Sequence, residues 1–273
     1  MRIATIILGR NLPDTTDALV ERFRAQDTGD NDIYVVESGT QQDRLSKYST
    51  SWANWDDALK NGLRFARGFN FGLLDLIRRG VFADYDYFLL TRNTVEFDGP
   101  LVSILLDEAA QHPDVGILSP CEESWAEREY LNGRATAYVW HINHLVWLVS
   151  RPYIECLMER HDPSHMNLLY DGSNFRGYCA DTELVIKGYM NEFATALTTR
   201  AIFRENTDLV RDHADLMRTE PYDVNHRLVF AEGTEWMRRK YGFNTRLQMQ
   251  AYAKMAYDRY FELNPQLDHY RLS

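Results

Sequence analysis

The length, composition and charge of the chain are those of an ordinary globular protein. Its 273 residues are 45% hydrophobic and 26% charged, which is enough chain for one large domain or two small ones. The formal net charge of -10 argues against nonspecific binding to nucleic acid or to anionic membranes, because phosphate contacts need a basic surface.

The first 120 residues alternate between short apolar runs and amphipathic stretches. Continuous apolar runs of this kind indicate strands buried on both faces, and the amphipathic stretches indicate helices. The predicted strands span residues 2–8, 32–40, 84–92 and 115–120, and the predicted helices span 14–26, 61–80 and 100–112. Asp14 or Thr15 is the predicted N-cap of the first helix. This order predicts an α/β protein with a mostly parallel sheet and right-handed crossovers.

The rest of the chain mixes strands and helices and is predicted to end in helices. Residues 135–150 alternate like one or two antiparallel strands, and residues 193–206 are strand-like. Helices are predicted at 152–161, 181–192, 234–242 and 245–262. No clear linker interrupts the chain, so we expect a single domain with a helical C-terminal extension.

The cysteines and the apolar runs predict where the protein resides. Cys121, Cys156 and Cys179 are far apart and odd in number, so they suggest neither a disulfide framework nor a metal pattern. The run at 3–8 is too short for a secretory signal, and no apolar stretch reaches the length of a membrane span. We therefore expect a soluble, cytoplasmic protein without a transmembrane segment.

Several common catalytic motifs are missing from the sequence. No glycine-rich phosphate motif follows the first strand, which argues against a nicotinamide enzyme or an NTPase, and no G-x-S-x-G supports an esterase. His141 and His144 form one spaced pair, and His161 and His165 form another. The first pair falls in a predicted strand, where positions i and i+3 point to opposite faces. Satisfied or surface histidines are therefore the better interpretation than metal ligands.

A polar cluster interrupts the third predicted strand. Thr91, Arg92, Asn93 and Thr94 follow an apolar run, and open α/β sheets bind ligands at the carboxyl ends of their strands. The cluster carries one cation and one amide but no carboxylate. It therefore marks a candidate binding site whose ligand the cluster alone does not identify.

Two carboxylates stand at positions where either a structural or a functional role is possible. Glu37 ends a buried strand, where a carboxylate is costly without a partner or a ligand, so it is either a loop acceptor or a binding residue. Asp181 stands just before an apolar-periodic helix, where it is either the N-cap or a general base at the mouth of the sheet. The pattern alone leaves both choices open.

Five segments of the chain, taken in order, resemble the family 2 glycosyltransferases of the GT-A fold over roughly residues 2–210. "IATIILGRN", which contains Gly9, is similar to the family's first strand, whose closing asparagine corresponds to Asn11. "DIYVVESGTQQD" is similar to the second strand and places Glu37 where the family's acidic residue contacts the nucleotide base. "ARGFNFG" is similar to the segment that packs under the nucleotide, with Asn70 and Gly72 two positions apart.

The two remaining segments cover the donor-phosphate and acceptor sides. Residues 84–120 resemble the block with the third strand, the donor-phosphate motif and the following helix and strand. "FRGYCADTELVIKGYMNEFATAL" is similar to the acceptor-side block, in which an aspartate opens a helix and acts as general base. Asp181 takes that position, so the resemblance favours a catalytic role for it over an N-cap.

The sequence departs from this family at the metal site. The family's Asp-x-Asp motif, whose last residue binds Mg²⁺ or Mn²⁺, falls on Thr91, Arg92 and Asn93, and an amide is a much weaker ligand for a hard dication. The family's later metal-binding histidine should fall near residues 203–207, where the sequence has none. Either the protein handles diphosphate without a metal or it has lost transfer activity.

Arg92 supports the first explanation. A guanidinium can neutralise a leaving diphosphate with bidentate geometry, although a solvated loop arginine is the alternative interpretation of this position. Arg10, Arg64 and Arg67 could supplement its charge.

The resemblance implies a glycosyltransferase that uses a nucleotide-sugar donor, with UDP or another nucleoside diphosphate, and a glycan or other hydroxyl acceptor. It implies a GT-A-like domain over 1–215, with a nucleotide-binding half (1–125) and an acceptor half (126–215), and a helical extension over 216–273. The nucleotide would lie across Asn11, Glu37 and Asn70, with the diphosphate near Arg92 and Asn93, and Gly9 and Arg67 would also bind the substrate. A requirement for Mn²⁺ or Mg²⁺ stays open.

The resemblance also implies a mechanism, which two alternatives would replace or modify. Asp181 would deprotonate the acceptor for inverting attack on the anomeric carbon. The first alternative is a catalytically inactive protein that binds sugar nucleotides or glycans. The second is a transferase that acts on a modified nucleic-acid base, which the net charge of -10 disfavours.

Overall fold

The computed structural model describes residues 1–26 and 30–272 of the chain. Strands and helices alternate in its first part: β1 (Ile3–Gly9), α1 (Pro13–Ala25), β2 (Asn31–Glu37), β3 (Ser49–Trp52), α2 (Asp56–Asn61), α3 (Arg64–Arg78), β4 (Tyr87–Arg92), β5 (Val95–Glu96), α4 (Leu101–Gln111) and β6 (Val115–Glu122). The chain continues with α5 (Glu127–Tyr130), β7 (Thr136–Tyr138), β8 (Val146–Ser150), α6 (Arg151–Leu157), α7 (Ala180–Met190) and β9 (Ala194–Glu205). Four helices follow: α8 (Thr207–Asp212), α9 (Ala214–Arg218), α10 (Tyr222–Tyr241) and α11 (Arg246–Leu263).

A nine-stranded sheet lies at the centre of the described part of the chain. Its strand order is β3-β2-β1-β4-β8-β6-β9-β5, and β7 also pairs with β9. The strands β3, β2, β1 and β4 are parallel neighbours, and β6 is parallel to β9. Strand β8 is antiparallel to both β4 and β6. The predicted α/β class, with a mostly parallel sheet flanked by helices, is therefore confirmed.

The first strand and helix form for the reasons that the sequence indicates, except at the helix start. Every residue of β1 is buried, as its continuous apolar run predicts, and α1 buries Leu19, Val20 and Phe23. The prediction of Asp14 or Thr15 as N-cap is wrong, because α1 already begins at Pro13. Proline suits the first helical position, since its φ is preset and its missing N–H would have no partner there.

The predicted helix over 61–80 is α3 (Arg64–Arg78) in the structure, and the short helix α2 (Asp56–Asn61) that precedes it was not predicted. Gly62 separates α2 from α3 and has φ of +69°, a left-handed conformation that glycine adopts without strain. A Cβ atom at this position would lie 3.2 Å from Nη1 of Arg10. The break therefore lets the chain pass close to a guanidinium at the end of β1. The short strand β3 was not predicted.

The helices at the end of the chain pack on the sheet domain through a second buried cluster. Its residues come from α7, α10 and α11 and from the loop before α7: Cys179, Ile186, Trp236, Met237, Met249 and Ala253. Helix α9 lies at the end of β1, because Asn11 Nδ2 donates to the carbonyl of Leu216 at 2.9 Å and Arg10 Nη1 donates to that of Met217 at 3.4 Å. The C-terminal region thus forms one wall of the space above the strand ends.

Among the helices of residues 1–26 and 30–272, none combines the length and the apolar character needed to cross a membrane.

Candidate active site

A cleft of about 370 Å³ lies at the carboxyl ends of β1 and β4. This is the edge of the sheet where open α/β folds bind their ligands. The floor is formed by residues that end these strands, and the walls come from α3, the loop before α7 and the C-terminal helices. The polar residues that line it are Arg10, Ser38, Arg64, Arg92, Asn93, Thr94, His144, Arg176, Asp181, Glu205, Asn225, His226 and Arg246.

Arg92 reaches into this cleft from the last position of β4. Its side chain is 20% exposed, its Nη1 lies 3.9 Å from Glu205 Oε1, and its guanidinium lies 5.4 Å from the centre of the Phe65 ring. The alternative of a solvated loop arginine is therefore wrong. A guanidinium at this position carries positive charge into the lining of the cleft, where it can meet an anion.

Asn93 also lines the cleft, but its amide nitrogen turns toward α1. The side chain is 4% exposed, its Nδ2 donates to Thr16 Oγ1 at 3.0 Å, and its backbone N–H donates to the carbonyl of Leu8 at 3.1 Å. Gly9 makes room for this arrangement, since a Cβ atom there would lie 2.9 Å from Thr16 Oγ1 and 3.3 Å from Asn93 Nδ2. Gly9 and Asn93 thus form one packed unit in the floor.

Asp181 lies in the first turn of α7 and faces the same cleft. It is not the N-cap, because that position is held by Cys179, whose φ is +60°. The Asp181 side chain is 7% exposed, and its Oδ1 accepts a hydrogen bond from the Thr182 N–H at 2.7 Å. The amino terminus of a helix stabilises a negative charge. The structure therefore places a held, buried carboxylate in the cleft that Arg92 also lines.

The cleft holds more cationic residues than the polar cluster alone suggests. Arg10 and Arg64 were expected as supplements, whereas Arg176 and Arg246 were missed, because no sequence pattern connects residues so distant along the chain. Burial, together with the charge of Arg64, lowers the pKa of Arg10 to about 10, and Glu220 opposes this shift. Positive charge is therefore concentrated at the end of β1 as well as at Arg92.

Two histidines of the loop between β7 and β8 lie at or near the cleft. His144 lines the cleft, and His141 lies next to Arg246, with 3.2 Å between Nε2 and the arginine Nη2. Burial lowers the pKa of His141, and Arg246 lowers it further, whereas Asp181 raises it. The lowered pKa favours a neutral imidazole at His141, beside Asp181.

Two predicted binding residues at the ends of β1 and β2 make their hydrogen bonds within the protein. Asn11 donates to Leu216, and its Oδ1 accepts from the Gln41 N–H at 2.8 Å. Glu37 is 2% exposed; its Oε2 accepts from Thr40 Oγ1 at 2.5 Å and its Oε1 from the Ser46 N–H at 2.8 Å. Both side chains hold the loop after β2. The structure does not bring them to the lining of the cleft.

Asn70 and Arg67, both on α3, hold the loop before α7. Asn70 is fully buried; its Nδ2 donates to the carbonyls of His165 and Tyr170, and its Oδ1 accepts from the N–H groups of Leu169 and Tyr170. Arg67 Nε donates to the carbonyl of Gly172 at 2.7 Å, and its guanidinium stacks 4.5 Å from the Phe175 ring centre. These two side chains also lie outside the lining of the cleft.

The donor set around Asn93 does not fit Mn²⁺ or Mg²⁺. These ions favour several oxygen ligands with carboxylates among them. Asn93 supplies an amide, and Glu205 faces the guanidinium of Arg92. Within residues 1–26 and 30–272 no group of three or more His, Cys, Asp and Glu residues could hold a metal ion. Guanidinium groups occupy the side of the cleft where the family resemblance places the dication.

The sheet order, the cleft at the strand ends and the flanking helices define the GT-A glycosyltransferase fold. Solved structures with this fold are similar to the chain at low sequence identity. The mannosyltransferase PcManGT from Pyrobaculum calidifontis, solved with GDP-Man and Mn²⁺, is 13% identical, with a TM-score of 0.58 over 96% of this chain and 72% of that one. TarS from S. aureus is 9% identical, with a TM-score of 0.52 over 99% and 83%.

A third solved structure is similar over a smaller share of its own length. GalNAc-T7, solved with UDP, GalNAc and Mn²⁺, is 8% identical, with a TM-score of 0.59 over 99% of this chain and 59% of that one. Comparison of the sequence with protein-family models gives no match, and neither does comparison with curated proteins. At these identities the similarity establishes the fold, and activity has to be argued from the cleft.

Proposed function

We propose that the protein is a glycosyltransferase that moves a sugar from a nucleotide-sugar donor to an acceptor hydroxyl. One observation carries the proposal: in a GT-A fold, Arg92 and the buried carboxylate of Asp181 line the same cleft at the strand ends. The solved structures with GDP-Man or UDP support a nucleoside diphosphate as the carrier. Residues 1–125 form the nucleotide-binding half and residues 126–215 the acceptor half, and 216–273 extend the fold.

The donor diphosphate lies on the arginine side of the cleft. Arg92 donates to its oxygens, and a guanidinium suits this task because it is always charged and binds in bidentate fashion. The arginine cations replace the charge that a dication would supply to the leaving group. Asn11, Glu37, Asn70 and Arg67 contribute by holding the loops that shape the nucleotide side, which their internal hydrogen bonds support.

Asp181 is the general base in this mechanism. The bond from Thr182 holds Oδ1, so Oδ2 is the oxygen that we assign to the acceptor proton. As the acceptor oxygen forms its bond to the anomeric carbon, the bond from that carbon to the diphosphate breaks and its electron pair leaves with the diphosphate. Attack on the face opposite the leaving group inverts the anomeric configuration.

Asp181→Asn tests the role of this carboxylate. Loss of a general base lowers the rate by about 10²–10⁴-fold, whereas donor binding is retained because the amide keeps the shape of the side chain. Transfer is measured by product formation, and donor binding by calorimetry. Asp107→Asn, an exposed position on α4, is the matched control. Full activity of Asp181→Asn would refute the assignment.

A second candidate function is a sugar-nucleotide-binding protein without transfer activity. The observation that favours it is Glu205, which faces Arg92 where catalysis would need the cation to meet a diphosphate. Turnover measured over a panel of donors and acceptors, with EDTA or added Mn²⁺, separates the two. Chelator-insensitive transfer supports the enzyme, and tight donor binding without turnover supports the binding protein. Strict dependence on Mn²⁺ contradicts the arginine-based mechanism.

A further inference from the structure

Three arginines from separate parts of the chain meet on the wall of the cleft. Arg10 follows β1, Arg64 is the first residue of α3, and Arg176 lies in the loop before α7. Arg10 is 8% exposed, and the side chains of Arg64 and Arg176 are 8% and 7% exposed. Three cations so well buried require negative charge nearby.

One carboxylate bridges two of these arginines. Glu220 Oε2 lies 2.6 Å from Arg64 Nη2, and Glu220 Oε1 lies 2.5 Å from Arg176 Nη2. Burial raises the pKa of Glu220, but its hydrogen bonds and charge interactions with the two arginines lower it more, so the net shift is downward. Glu220 is therefore an ionised side chain that uses both of its oxygens on two arginines that line the cleft.

The arginines carry more positive charge than this carboxylate neutralises. Arg10 donates to the backbone carbonyls of Gly39, Leu59 and Met217, which carry no net charge. Arg176 also pairs with Glu232 through Nη1, and its Nε is buried without a hydrogen-bond partner in the described part of the chain. The wall thus combines excess positive charge with a donor that is already desolvated.

We propose that Arg10, Arg64 and Arg176 form a diphosphate-binding site that Glu220 closes in the absence of ligand. The identity of the ligand as the donor's diphosphate rests on the proposed function. A diphosphate offers more charge and more acceptor oxygens than one carboxylate, and guanidinium groups bind such oxygens in bidentate fashion. Glu220 is 22% exposed, so its side chain can turn toward water when the ligand enters. Glu220 acts as an internal competitor that weakens binding.

Inorganic pyrophosphate is the probe, because it carries the diphosphate without the nucleoside or the sugar. Its affinity is measured by calorimetry for the full chain and for Glu220→Gln. Removal of the competing charge strengthens binding by about tenfold, the scale of one charge-assisted hydrogen bond. Glu232→Gln is the matched control, because Glu232 pairs with the same Arg176 through its other terminal nitrogen. Its affinity stays within about threefold of the wild type.

The proposal is overturned if Glu220→Gln binds pyrophosphate no more tightly than Glu232→Gln does. If Glu220→Gln does not fold, Arg176→Gln decides, because the proposal requires it to weaken pyrophosphate binding by about tenfold. Arg204→Gln, an exposed arginine of β9 outside the cleft, is its control. Unchanged affinity of Arg176→Gln also overturns the proposal.

Pyrophosphate affinity is measured without turnover, so the anion-site proposal and the proposed glycosyltransferase function can be refuted separately. A tenfold effect at Glu220 without any glycosyl transfer keeps the anion site and removes the proposed function. Transfer activity without a Glu220 effect keeps the proposed function and removes the anion site.

Discussion

The strand ends on the β2 side of the molecule differ from those around β4 in where their polar side chains form bonds. Beyond β1 and β2, Asn11 and Glu37 use their side-chain oxygens on backbone groups and hydroxyls of the same region. Beyond β4 and at the start of α7, Arg92 and Asp181 keep polar atoms on the surface of the cleft. We call the first region closed, because these polar side chains bond within the protein, and the second open, because its polar side chains reach the cleft.

The comparison shows that burial alone does not distinguish a structural carboxylate from a functional one. Glu37 and Asp181 are 2% and 7% exposed, so both are buried. Glu37 has both oxygens bonded to the loop after β2, whereas the bonds of Asp181 come from the neighbouring Thr182 to one oxygen. The partners of each oxygen, rather than the depth of the residue, indicate which carboxylate is available for chemistry.

The largest effect is expected for Asn70→Ala on α3, which should lower the free energy of unfolding. The substitution leaves four buried backbone groups, of His165, Leu169 and Tyr170, without their side-chain partner. We expect a loss of about 3 kcal/mol in the free energy of unfolding, measured by urea titration. Asn191→Ala, exposed and with one hydrogen bond to Lys187, is the control. A loss no larger than that of the control would show that Asn70 does not hold this loop.

In the open region, Arg92→Gln should affect activity rather than stability. Loss of a charged hydrogen bond to the diphosphate lowers kcat/KM by about tenfold to a hundredfold. The long contact with Glu205, at 3.9 Å, contributes less than about 1 kcal/mol to the free energy of unfolding, so its loss leaves stability largely unchanged. Arg204→Gln should leave both quantities near the wild type. Unchanged kcat/KM in Arg92→Gln would remove the arginine from the donor site.

The smallest effect is expected for Glu37→Gln and should depend on pH. Burial raises the pKa of Glu37 above its ordinary value of 4.5, although the bonds from Thr40 and Ser46 oppose the shift. The folded state then holds more protons than the unfolded state above about pH 4.5, so this group lowers stability as the pH rises. The free energy of unfolding of Glu37→Gln, minus that of the wild type, should increase from pH 4 to 7. A flat or falling difference would contradict the raised pKa.

Local sequence patterns predicted most of the strands and helices, but they failed where an element depends on tertiary contacts. The continuous apolar run of β1 and the periodic face of α1 are local signals, and both elements formed as expected. Gly62, which follows α2, lies beside Arg10, a contact between residues far apart in sequence that the local pattern does not show. Strand β3 has no apolar run and exists because β2 offers it a parallel edge.

The candidate site was predictable only in part, for a related reason. Sequence position indicated that Arg92, Asn93 and Asp181 lie near strand ends, and the structure brings all three to one cleft. The amide of Asn11 was not recognisable as internal, because its partner Leu216 lies 205 positions away. Likewise, nothing in the segment around Arg176 indicates that Glu220 will meet it.

The hydrogen bond from Asn11 to Leu216 joins a segment that is synthesised early to one that is synthesised much later. At about 5–20 residues per second, a ribosome needs roughly 10–40 s to add the 205 residues that separate these partners. Strands β1, β2 and β4 can pair during that interval, while α9 does not yet exist. The strands of the floor are therefore synthesised before the part of the cleft wall that α9 supplies. A chain whose synthesis stalls before α9 contains the strands that form the floor of the cleft but lacks this part of the wall.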